Sequence, residues 1–139
     1  MEVKIEYQRI RIGDHGLAYY PYYFDIWGEK ETDKLNVLKS VLSQWASALK
    51  ELRDGDAPLY LPYSLDDETV NCIKATRKGK NVILRCVVVG ANGYQLDLDD
   101  LANFMRSEQI VEEESPEIFG EYEANEIIKA LQEARPIDA

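Results

Sequence analysis

Histidine, cysteine and positive charge are all scarce in this 139-residue chain. It has one His, two Cys and 16 Lys+Arg against 26 Asp+Glu, for a net charge of −10. Each shortage excludes a kind of chemistry. A His-based nucleophilic triad would have to use His15 as its base. That residue lies in the turn-like stretch Gly13-Asp14-His15-Gly16, no G-x-S-x-G elbow occurs, and neither Cys sits at a predicted strand-to-helix junction, so no catalytic residue is expected. Cys72 and Cys86, 14 residues apart and far from the His, do not fit the paired C-x-x-C spacing of structural zinc. Asp97, Asp99 and Asp100 lack the Gly and the closing Glu of a calcium loop, and both glycine-rich phosphate motifs are missing. Neither a metal nor a cofactor is therefore expected. The negative balance excludes a binder of nucleic-acid backbones, which depends on clustered Lys and Arg. The strongest apolar run, residues 82–89, is far short of the ~20 residues a membrane helix requires. The opening Met-Glu-Val-Lys-Ile-Glu lacks the basic head and apolar stretch of a secretory signal, so a cytoplasmic location with reduced thiols is expected.

The chain does have enough apolar material for a core, with 45% hydrophobic residues. At this length one domain, residues 1–139, is expected, and it buries roughly 68–70% of the surface its unfolded chain exposes. Val3, Ile5 and Tyr7 alternate, and Ile10 and Ile12 resume one residue out of phase. This predicts a strand over 2–12 with a bulge near Gln8-Arg9, paired through the 13–16 turn with an aromatic strand over 17–27 that Pro21 confines to an edge. From a cap at Thr32 or Asp33, Leu35, Leu38, Leu42, Trp45, Leu49 and Leu52 recur at helical spacing until Asp54-Gly55. A short strand over 59–63, limited to an edge by Pro62, follows, then a hairpin of 69–76 and 82–89. Centred on Gly79, it would set Val70 against Val88, Cys72 against Cys86 and Thr76 against Val82. In that register the two thiols are close enough to be bridged. A further strand over 94–98, a short helix opened by Asp99-Asp100, an acidic loop over 107–120 and a last amphipathic helix over 121–134 complete the pattern. The class is α+β: an antiparallel or mixed sheet of about six strands, with a long amphipathic helix and one or two shorter C-terminal helices packed on one face.

The charge is unevenly distributed. Residues 1–98 hold 14 acids and 13 bases, whereas residues 99–139 hold 12 acids and 3 bases. Between Glu108 and Glu126 there is no Lys or Arg at all. Such a field attracts a basic partner and speeds its association, although a solvated acidic face that confers solubility gives the same pattern. Tyr20, Tyr22 and Trp27, from an aromatic run with residues to spare on both faces, are candidate interface anchors or else core. Together with Glu108, Glu112, Glu113, Glu114, Glu117 and Glu121 they make up the candidate partner-binding set.

The stretch Asp56-Ala57-Pro58-Leu59-Tyr60-Leu61-Pro62-Tyr63 through Asp66-Asp67-Glu68-Thr69 resembles a short motif of small bacterial immunity-type proteins that accompany polymorphic toxins. The resemblance covers about fourteen residues and brings no active site with it. It implies a protein that inhibits a toxin domain, and an acidic face suits a basic one. A homodimer is compatible with the same features. Two other classes stay open. One is a small enzyme or small-molecule binder with carboxylates clustered in a cleft, and the other is a structural homo-oligomer subunit.

Overall fold

The computed structural model describes residues 1–6, 9–18, 31–65, 69–90, 100–106, 111–112 and 117–136. The fold is α+β, with its strands in two sheets rather than one sheet of six. The first sheet has the order β3-β2-β1-β9 and is built from β1 (Val3–Glu6), β2 (Arg9–Ile12), β3 (His15–Ala18) and β9 (Arg135–Pro136). Its first three strands form an antiparallel meander, and β9 joins β1 in parallel, Lys4 opposite Arg135. The phase change that suggested a bulge is a boundary between two strands, since Glu6 stands opposite Arg9.

The second sheet runs β4 (Leu59–Leu65), β5 (Thr69–Lys78), β6 (Asn81–Gly90), and its last row is shared by β7 (Val111–Glu112) and β8 (Glu117–Glu123). These two segments pair with different halves of β6 and so run in line along one edge. Alternation counts strands but does not say which strand finds which. Here α1 (Glu31–Glu51) separates the meander from the β4–β6 hairpins, and each group closes its own local pairings.

One buried cluster runs through both sheets. Leu42, Trp45 and Leu49 of α1 and Ile127 and Leu131 of α3 (Ala124–Gln132) pack with Ile10 and Ile12 of the first sheet and Leu61, Ile73 and Leu84 of the second. Each such aliphatic side chain contributes about 1.5–3 kcal/mol on burial. The helix α1 follows the apolar stripe read from its spacing. It ends where the Arg53 N–H donates to Asp56 Oδ2 at 2.8 Å and Gly55 takes a φ of 88° that a side chain would resist. A smaller cluster of Tyr60, Val70, Cys72, Val87 and Val89 lies on the opposite face of the second sheet, against Phe104 of α2 (Ala102–Met105). The short α2 is held to α1 at both ends. The Leu101 N–H donates to Gln44 Oε1 at 2.7 Å, and Arg106 forms an ion pair with Glu51.

The hairpin register differs from the expected one by a single residue. Lys78 stands opposite Asn81, so the loop is the two residues Gly79-Lys80, with Gly79 at φ 59°, rather than a turn centred on Gly79. Every facing pair shifts with it. Cys72 meets Val87 and Cys86 meets Ile73, which puts the thiols on opposite faces of the sheet, and neither is in a disulfide. A Cys72–Cys86 bridge is thereby excluded.

The acidic stretch read as loop contains strand β8, and the last helix begins at Ala124 rather than 121. Glutamate is a poor strand former, so its density reads as loop. An edge strand tolerates it because the charges stay in water and discourage pairing with another chain. The strand expected over 94–98 lies outside the described residues, as does the aromatic run beyond Ala18.

Candidate functional site

Strand β8 sorts its side chains between two environments. Gly120 and Tyr122 stand opposite Leu84 and Val82 on the inner face, while Glu121 and Glu123 stand opposite Ile83 and Asn81 on the outer one. A bulge between the Arg85 and Leu84 pairings leaves Phe119 without a partner and turns Ile118 outward beside Arg85. Ile118 is 60% exposed, and with Met1 it makes up the exposed large hydrophobic residues among those described. It therefore forms an apolar point on an acidic edge. Glu121 accepts a hydrogen bond from Asn81 Nδ2 at 3.0 Å, and Glu123, Glu126 and Glu133 are exposed. Among the described residues no ion pair ties any of these four carboxylates to a base. Glu126, in the first turn of α3, also meets the positive end of that helix.

Of the residues expected to bind a partner, Glu121 is on this outer face, and Glu117 and Glu112 occupy the same edge by backbone register, opposite Cys86 and Val89. Tyr20, Tyr22, Trp27, Glu108, Glu113 and Glu114 lie outside the described residues. Ile118 was missed because no sequence signal separates an exposed isoleucine from a buried one until the bulge is known.

A second assembly sits inside, where the sheets meet. The chain's single histidine and one of its two cysteines, dismissed at the sequence level for their separation, come together here, with Cys86 Sγ 3.7 Å from His15 Nε2. The imidazole stacks on Phe119, with ring centroids 4.4 Å apart and planes 14° apart, which fixes its orientation. The Tyr63 phenol lies close enough to Cys86 for the sulfur to act on its titration. Burial first, and then the neighbouring sulfur, push the phenol above the ordinary tyrosine range, so it stays protonated as an O–H donor. The two aromatic members sit at irregularities of their strands: Tyr63 is the residue skipped between the Pro62 and Ser64 pairings of β4, and Phe119 is the one skipped in β8. Tyr63 keeps the inward face of Leu59 and Leu61, the face that Cys86 also occupies. Cys72 has a different environment. Fully buried in the smaller apolar cluster, its thiol donates to the Val70 carbonyl at 3.9 Å, and burial raises it well above the usual range.

A cleft of about 480 Å³ lies between β1, β9 and α3, lined by Glu2, Lys4, Glu133 and Arg135. Glu2 is paired with Lys4 at 3.2 Å, so this cleft mixes charges rather than bringing two carboxylates together. Among the described residues no group of three His, Cys, Asp or Glu is placed to hold a metal ion, and no helix is long and apolar enough to cross a membrane. No family model, curated protein or solved structure matches the chain.

Proposed function

We propose that this chain is a non-enzymatic, cytoplasmic protein-binding protein whose acidic outer strand docks a basic protein partner. The observation that carries this reading is Ile118, 60% exposed in the strand that also bears Glu117, Glu121 and Glu123. An apolar anchor with a charged rim is the usual anatomy of a protein interface. Burying one isoleucine supplies about 1.5–3 kcal/mol, while the carboxylates act mainly on association rate and partner choice. Following the immunity-type resemblance of residues 56–69, the partner is a basic toxin domain that the acidic edge occludes.

The test is affinity capture from the native host with three baits: the wild type, Ile118→Lys, and a fourfold variant with Glu112, Glu117, Glu121 and Glu123 changed to Gln. The reading expects a basic protein captured by the wild type and lost from both variants, each of which retains its fold. A partner retained equally by all three baits contradicts it and leaves the glutamates as protection of an edge strand.

A further inference from the structure

The Cys86–His15–Tyr63 cluster lies on the inner face of the sheet, away from Ile118 and Glu121, and adjoins the proposed docking edge through Glu117, which pairs opposite Cys86. It combines a nucleophile, a proton acceptor and a fixed O–H donor, supplied by β6, β3 and β4 respectively. A sulfur and an imidazole nitrogen 3.7 Å apart can share a proton directly. Once the sulfur is a thiolate, the Tyr63 hydroxyl and the protonated imidazole can both donate to it. Phe119, stacked on the ring at 4.4 Å, keeps Nε2 pointed at the sulfur. His15, Tyr63, Cys86 and Phe119 are all partly exposed, so small reagents can reach the site. Among the described residues, the other titratable groups beside it are Asp14, which precedes His15 in the chain, Cys72, which also acts on Tyr63, and Tyr122 on the inner face of β8, while Glu117 stands opposite Cys86 in the backbone pairing.

We propose that Cys86 is a reactive thiol that exchanges with low-molecular-weight disulfides, with His15 as its proton acceptor and Tyr63 as the donor that steadies the sulfur. The Cys86 proton passes to Nε2 of His15, in the tautomer that leaves this nitrogen free, and the sulfur attacks one sulfur of the disulfide. The new Cys86 S–S bond forms as the S–S bond of the reagent breaks. The departing thiolate takes the proton from His15 and leaves as a thiol. Cys86 is oxidised, the reagent is reduced, and no further reactant is consumed. Cys72 is the internal control, since a thiol fully buried in an apolar cluster is inert.

The experiment follows the reaction of the folded protein with 5,5′-dithiobis(2-nitrobenzoate) and with cystamine at pH 7 and pH 9.5, with peptide mass analysis to locate the adduct. One thiol per chain is expected to react, at Cys86. The reaction is expected to be lost in Cys86→Ser and retained in Cys72→Ser. His15→Gln is expected to slow it about tenfold or more at pH 7 and less than about twofold at pH 9.5, where any accessible thiol is largely ionised without help. Tyr63→Phe slows it in the same direction. Three outcomes each overturn the proposal: no thiol reacting before unfolding, equal rates for His15→Gln and wild type at pH 7, or an equal loss at both pH values, which would make His15 structural only. The wild-type mass analysis decides the site even where a variant folds poorly.

Discussion

Tyr122 joins the two sheets, and its fit over Gly120 makes a sharp prediction. A Cβ built on Gly120 would lie 2.4 Å from Tyr122 Cε2 and 2.7 Å from both Cζ and the hydroxyl, because the ring of residue 122 lies flat over the glycine two residues earlier on the same face. The same hydroxyl reaches across to the first sheet, 3.2 Å from where a Cβ on Gly13 would be. Gly120→Ala therefore cannot be accommodated by a small adjustment. The ring must lift off both β8 and the β2–β3 turn, which places the cost within the ~1–3 kcal/mol of core overpacking. Removing the ring should abolish that cost. In a Tyr122→Ala background the same Gly→Ala change should be neutral or stabilising by about 0.4–1 kcal/mol, because alanine has less backbone freedom to lose on folding. Urea unfolding of the wild type, both single variants and the double variant gives the coupling directly. An equal cost of Gly120→Ala with and without Tyr122 would refute the argument, as would stabilisation by Gly120→Ala in the wild-type background.

Other expectations follow from individual side chains and are read in the same unfolding assay. Ser64 is fully buried and its hydroxyl has no partner among the described residues, so Ser64→Ala should be neutral or stabilising by up to about 1 kcal/mol; a loss above 1 kcal/mol would reveal a hydrogen bond. Trp45 is fully buried in the main cluster, also with no partner for its Nε1–H among the described residues, so Trp45→Ala should cost about 3–5 kcal/mol and Trp45→Phe clearly less. The Arg11 guanidinium, 2.7 Å from Glu6, holds that carboxyl below its ordinary range chiefly through their hydrogen bond. A depressed folded-state value means that Glu6 stabilises the fold above the unfolded carboxylate range and loses that contribution as pH falls through the folded value. Glu6→Gln should accordingly flatten the acid limb of the stability–pH curve, and an unchanged acid limb would show that the pair contributes nothing.

Some of this molecule was legible as text because local chemistry decided it. The spacing of Leu38, Leu42, Trp45 and Leu49 defines a helix face whatever it packs on, and Pro62 confined β4 to an edge, where it is found. The hairpin was legible as a hairpin, but its register depended on whether two residues or three turn the chain around Gly79. That choice alone decided that Cys72 and Cys86 lie on opposite faces. Strand β8 was hidden because its outer positions are glutamates, whose low strand propensity is overridden at a water-facing edge. The His15–Cys86 contact could not be read at all. It spans 71 residues and depends on how the two sheets pack against each other, which no local pattern in the chain records. The acidic composition of the last third was evident from residue counts, whereas its arrangement along one sheet edge required the pairing of β7 and β8 with β6.

The most direct test of the docking account is the association rate constant of the captured basic partner, measured by stopped-flow between about 50 and 500 mM salt for the wild type and the fourfold Glu-to-Gln variant. Steering by the acidic edge predicts a wild-type rate that falls about tenfold or more across that range, and a variant rate that starts low and changes little. Association that is equally fast at both salt concentrations, and indifferent to the loss of the four carboxylates, would contradict it.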